Sequence, residues 1–167
     1  MSKVAIVAAL EREVRPLVRT WRASEKEHDG RSFRIFEDGE AVLVCGGIGT
    51  EPARRAAEAV IALYSPTVVY SVGFAGSLDP VLKVGTVIQA AHVIDARDGS
   101  RVDVSGGKGV LVSFGSVASP AQKAKLKDSF RAQAVDMEAA SVARAAQLRG
   151  VEFRVCLLYT SPSPRDS

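Results

Sequence analysis

Ala41-Val42-Leu43-Val44-Cys45, followed by Gly46-Gly47-Ile48-Gly49-Thr50, is the passage on which the fold turns. An unbroken apolar run of this length suits a strand buried on both faces, because a half-exposed strand would alternate with polar residues. The glycines make a turn, and residues 51–64 then place Ala56, Val60, Ile61 and Leu63 at helical spacing. Strand, glycine turn and helix in that order predict an α/β chain. Upstream, residues 33–36 pair with residues 41–45 as a hairpin about the turn Glu37-Asp38-Gly39-Glu40. Residues 4–9 form another continuous apolar run, which predicts a buried strand in a parallel sheet. The helix after it is expected to start close to Glu13, since Pro16 is tolerated only near a first turn. Downstream, residues 67–72 and 84–90 read as strands separated by glycine and Asp79-Pro80 turns. Residues 95–108 read as a surface loop or hairpin, 109–112 as a short strand and 120–130 as a short helix. A helix opens at Asp136-Met137-Glu138 and runs to Leu148, with Gly150 as its stop, and a last strand covers 151–156.

A chain of 167 residues is the size of one domain that can bury a continuous core. Its formal net charge of +3 is spread along the sequence, which leaves no basic footprint for nucleic acid. Glu11 interrupts the N-terminal apolar segment far short of the roughly 18 apolar residues of a membrane span, and no secretion signal is evident. Cys45 and Cys156 lie in separate apolar stretches without metal-ligand spacing, which predicts buried thiols, a cytoplasmic setting and no metal site. The glycine turn invites a dinucleotide reading, but Pro52 stands at the third glycine position and no ribose-binding acid follows the next strand. No Walker lysine follows either glycine turn. The glycines also fit the plainer role of permitting tight strand-to-helix turns.

Four elements carry more information together: Glu11-Arg12-Glu13-Val14, Gly46-Gly47-Ile48-Gly49, Gly73-Phe74-Ala75-Gly76 with Leu82-Lys83-Val84-Gly85, and Val135-Asp136-Met137-Glu138-Ala139. Their order and spacing resemble the purine and uridine phosphorylase superfamily. Within it the chain is similar to the methylthioadenosine/S-adenosylhomocysteine nucleosidases and the hopanoid-associated phosphorylase-like proteins. The resemblance implies a three-layer α/β sandwich around a central mixed sheet, no organic cofactor, a nucleoside substrate and a homodimer when full length. Cleaving a bond from ribose to a nucleobase builds positive charge on the sugar and negative charge on the base, so it calls for a carboxylate and an acid. By resemblance Glu13 matches the acid/base that activates water, and Glu138 the acceptor for ribose hydroxyls. Met137 would pack on the sugar, while Ala75 and Gly76 would line the ribose and base site. Alone, either glutamate reads more readily as an acid favoured by a helix N-terminus. The joint pattern tips the balance.

Phe74 stands where these nucleosidases commonly carry a small hydroxyl residue, and Val117 where an aromatic often stacks on the purine. No Gly-Asp-Pro-x-Arg element follows the first strand, which favours water over phosphate, although Arg12, Arg54 and Arg55 lie near the turns and keep phosphorolysis open. The largest departure is at the end of the last strand. There the family carries an Arg-x-x-Ser-Asp-like element whose aspartate protonates the base, and here the residues are Leu157-Leu158-Tyr159-Thr160-Ser161. Residues 1–156 are therefore expected to form an incomplete nucleosidase-like domain, and 157–167 a disordered, non-native tail with two prolines. An inactive nucleoside-binding domain is the remaining alternative.

Overall fold

The computed structural model describes residues 3–79, 82–104 and 106–160. In chain order the elements are β1 (Val4–Ala8), α1 (Glu11–Val18), β2 (Arg22–His28), β3 (Arg31–Asp38), β4 (Ala41–Cys45), α2 (Thr50–Tyr64), β5 (Val68–Ser77) and β6 (Val87–Ile88). There follow β7 (His92–Asp95), β8 (Arg101–Asp103), β9 (Val110–Ser113), α3 (Pro120–Phe130), β10 (Ala134–Asp136), α4 (Ala139–Leu148) and β11 (Glu152–Tyr159). The strands join in one mixed sheet in the order β2-β3-β4-β1-β5-β10-β9-β7-β8, with β11 on β5 and β6 on β11. As its apolar run requires, β1 lies inside the sheet, parallel to β4 and β5.

Successive side chains of a strand point to opposite faces, and here each face has its own layer. Val42, Val44 and Leu111 pack with the buried stripes of α2 and α4. Their neighbours Leu43 and Val112 face the other way, Leu43 against Val14 and Val18 of α1 and Val112 against Leu126 of α3. The result is the expected three-layer sandwich with a mixed sheet. α2 buries Ala53, Ala56, Ala57, Val60 and Ile61, a stripe of mostly small side chains that brings the helix close to the sheet. At Gly46 the approach is so tight that an added methyl carbon would lie 2.6 Å from Cβ of Ala56 and 2.8 Å from the Pro52 carbonyl oxygen.

The strand that organises the molecule is β5. β1 pairs with it along Val68 to Val72 in parallel, and β10 pairs antiparallel with Gly76 and Ser77. The C-terminal ends of β1 and β10 therefore point at each other across residues 73–75. The residues immediately following β1 and β10 are delivered to that gap.

Several boundaries differ from those expected. Residues 73–76 are strand rather than turn, because β11 pairs with β5 in parallel as far as Tyr159 and Ala75. For the same reason the last strand continues three residues beyond 156, with Leu157 and Tyr159 buried. Residues 161–167 of the expected tail lie outside the described residues. α1 begins at Glu11, not Glu13, because the Glu13 carboxylate accepts the Leu10 amide and closes the first turn, leaving exposed Pro16 inside the helix at the loss of one bond. Asp136 ends β10 and α4 starts at Ala139. The strand expected at 84–90 contracts to Val87–Ile88. β2 was not expected, since its sequence RASEKEH is polar on both faces, yet its whole length pairs with residues 31–37 of β3 at the sheet edge. Cys45 and Cys156 are half-buried rather than buried, and both are free thiols. Among the described residues no helix is long and apolar enough to cross a membrane.

Candidate active site

The gap over β5 is a cleft of about 440 Å³. Its walls include Glu13, Phe74, Ala75, Gly76, Val117, Met137 and Glu138, so these seven expected site residues reach one cavity. The volume is within the usual range for a small-molecule site. Glu13 arrives from α1, just beyond β1. Its Oε1 accepts the Leu10 N–H at 2.9 Å, while a methyl carbon placed on Gly73 would lie 3.5 Å from its Oε2. The carboxylate is thus held between its own helix start and the β5 backbone.

Met137 and Glu138 follow β10 directly, and the loop they form is fixed by Asp136. The Asp136 carboxylate accepts the Ser113 hydroxyl at 2.6 Å and the amides of Ala139 at 2.8 Å and Glu138 at 3.2 Å. Ser113 in turn accepts the Ala140 amide at 2.9 Å. A carboxylate placed on the first free amides of α4 satisfies donors that have no partner within the helix. Glu138 then projects across the cleft to the glycine turn, where its Oε2 accepts the Gly49 N–H at 3.1 Å. Gly49 has φ +105°, a conformation that L side chains rarely adopt, and it aims this amide into the site.

Of the carboxylates in the cleft, Glu138 and Asp136 are held above their ordinary range. Burial pushes Glu138 up to about 7, helped by the charges of Asp136 and Glu13 and opposed by the Gly49 amide. Burial likewise pushes Asp136 up to about 6 against its hydrogen bonds, with Glu13 adding to the rise. A raised folded-state pKa means that the folded chain holds these protons more tightly than the unfolded one. Their contribution to stability is complete below the ordinary values of 3.8 and 4.5 and is lost as pH rises through about 6 and 7. Thermal unfolding followed from pH 4 to 8 is expected to show falling stability, with Asp136 alone contributing about 3 kcal/mol. The variant Asp136→Asn is expected to flatten that profile, and an unchanged slope would contradict the assignment.

Two of the three arginines weighed above are engaged elsewhere. Arg54 pairs with Glu51 and Glu58 along α2, and Arg55 with Glu51, whereas Arg12 lines the cleft. The cleft also takes in Lys123, Tyr159 and Thr160, which were given no role in the sequence. Tyr159 falls in the stretch expected to be a disordered tail, and strand pairing with β5 places it here. The capping role of Asp136 was legible in principle, as an aspartate three residues before a helical alanine run. Nothing in the sequence pointed to Ser113. Exposed Val117, Phe74 and Ile48, 72%, 44% and 52% exposed, line the same cleft as apolar side chains. Among the described residues no group of three or more His, Cys, Asp or Glu side chains could hold a metal ion.

Comparison with known proteins gives a consistent picture. Residues 3–114 match the family model of the phosphorylase superfamily. A methylthioadenosine/S-adenosylhomocysteine nucleosidase from a Marinomonas species is 30% identical over 64% of this chain, a match spanning 46% of that protein's length. The aminodeoxyfutalosine nucleosidase of Campylobacter jejuni is 25% identical over 86% of this chain and 78% of its own. The crystal structure of the Helicobacter pylori methylthioadenosine/S-adenosylhomocysteine nucleosidase, complexed with a substituted pyrrolidin-3-ol, superposes with a TM-score of 0.83 at 24% identity. That superposition covers 95% of this chain and 84% of the other, and it establishes a shared fold.

Proposed function

The chain belongs to the phosphorylase superfamily, and on that premise we propose that its cleft hydrolyses the N-glycosidic bond of a purine nucleoside or 5′-substituted adenosine. The observation that carries this reading is the convergence of Glu13 and Glu138 on one cleft at the meeting ends of β1 and β10. Glu138 accepts the ribose hydroxyls through the oxygen not given to Gly49, and Met137 packs beside the sugar. Glu13 takes a proton from the water that attacks C1′ as positive charge develops on the ring. Ala75, Gly76, Phe74 and Val117 line the remainder, where the base lies.

Water is favoured over phosphate because the glycine turn, the natural nest for an anion, already gives its Gly49 amide to the Glu138 carboxylate. The names of the relatives support the same class of substrate. Turnover is slow in this chain, since Glu13, Asp136 and Glu138 are the carboxylates lining the cleft among the described residues and Leu157 to Thr160 add none. In its biological setting the protein acts as a cytoplasmic homodimer in purine salvage. The free thiols support the reducing compartment, and the exposed apolar side chains Ile48, Phe74 and Val117 support a covering second copy.

The test is product analysis in phosphate-free buffer. Free base and free ribose are expected. A strict need for phosphate, with ribose 1-phosphate as product, would make the enzyme a phosphorylase, and nucleoside binding without any base release would make it a binding domain.

A further inference from the structure

Lys123 enters the cleft from α3, where it has no part in the steps above. A methyl carbon placed on Gly76 would lie 3.9 Å from its Nζ, just as one placed on Gly73 would lie 3.5 Å from Oε2 of Glu13. Glu138 shares a small recess with Gly73 and Phe74, so it belongs with Glu13. The acids therefore gather beside Gly73 and the Lys123 ammonium beside Gly76, with Arg12 also on the cleft wall. The same cleft presents the apolar and aromatic side chains Val117, Ala118, Val135 and Tyr159, beside the hydroxyls of Ser77, Ser116 and Thr160. Ribose hydroxyls suit the acids, and a flat, weakly polar base suits the apolar and aromatic side chains.

We propose that Lys123 stabilises the departing base. The inference rests on the nucleosidase reading and assigns it a further catalytic residue. As the bond from C1′ to N9 breaks, its electron pair goes to the base, a water oxygen bonds C1′, and the proton of that water passes to Glu13. The charge developing on the base meets the ammonium of Lys123, a cation with three donors and no acceptor, which hydrogen-bonds an acceptor nitrogen on the base edge. The base takes its proton from bulk water after release, and Glu13 returns one. A donor fixed where charge develops acts on the transition state more than on the bound substrate, so its loss lowers kcat rather than raising KM.

The experiment compares the unmodified chain, Lys123→Met and Lys123→Arg on two substrates: a purine nucleoside and 4-nitrophenyl riboside, whose leaving group departs as a stable phenolate without assistance. Lys123→Met is expected to lower kcat for the nucleoside by about 10–100-fold while changing cleavage of the nitrophenyl riboside less than about threefold, with Lys123→Arg retaining most of the nucleoside rate. Equal losses on both substrates, or none on the nucleoside, would overturn the role of Lys123 and leave the nucleosidase reading standing. Failure of the unmodified chain to cleave either substrate would overturn that reading, and this inference with it.

Discussion

Glu13→Gln is expected to lower nucleoside hydrolysis by about 10²–10⁴-fold, the range for a positioned general base, while leaving the fold intact. The glutamine keeps an oxygen for the Leu10 amide, which Oε1 of Glu13 now accepts at 2.9 Å, so the first turn of α1 still closes. What the amide cannot do is take a proton from water. Because Glu13 also raises the carboxyls of Asp136 and Glu138, its neutralisation should let both ionise at somewhat lower pH. Steady-state kinetics and a thermal melt check the two halves together. A variant that melts normally and hydrolyses at the original rate would remove Glu13 from the chemistry.

Glu138→Gln is expected to cost ten- to about a hundredfold in turnover, because an amide is a poorer acceptor than a carboxylate and a charge-assisted hydrogen bond contributes about 1.5–3 kcal/mol. The effect carries a pH signature. Glu138 accepts ribose hydroxyls in its ionised form, and burial holds its carboxyl up at about 7. Activity of the unmodified enzyme should therefore climb as pH rises through about 7, and the glutamine variant should lose that limb. A glutamine enzyme with the same pH profile would mean that another group controls it.

The parts of the fold that were legible were those where burial forces a pattern. β1 and β4 read as strands because a strand covered on both faces has no polar positions, and α2 and α4 read as helices from their apolar spacing, α4 with Gly150 as its stop. β2 was not legible, since an exposed edge strand with no buried residue leaves no apolar period to find. The stretch 73–76 misled for a different reason. Its glycines spell a turn locally, and only pairing with β11 and β10, both distant in sequence, holds it extended.

The site divides along the same line. Glu13 and Glu138 stood out because their motifs sit beside strand ends, and the structure brings them with Met137, Ala75, Gly76, Phe74 and Val117 to one cleft. Lys123 lies on an unremarkable helix with alternating charge, and nothing local distinguishes it from the exposed Lys125 or Lys127. Tyr159 and Thr160 reach the cleft only through the register of β11 on β5.

The account turns on where a nucleoside lies. Crystals of the Glu13→Gln variant soaked with 5′-methylthioadenosine test this most directly, since the slowed enzyme should hold its substrate uncleaved. The ribose hydroxyls are predicted to lie within hydrogen-bond distance of Glu138, with the sugar over Met137 and the base between Val117 and residues 75–76. A nucleoside bound outside this cleft, or with its base rather than its sugar on Glu138, would contradict the account.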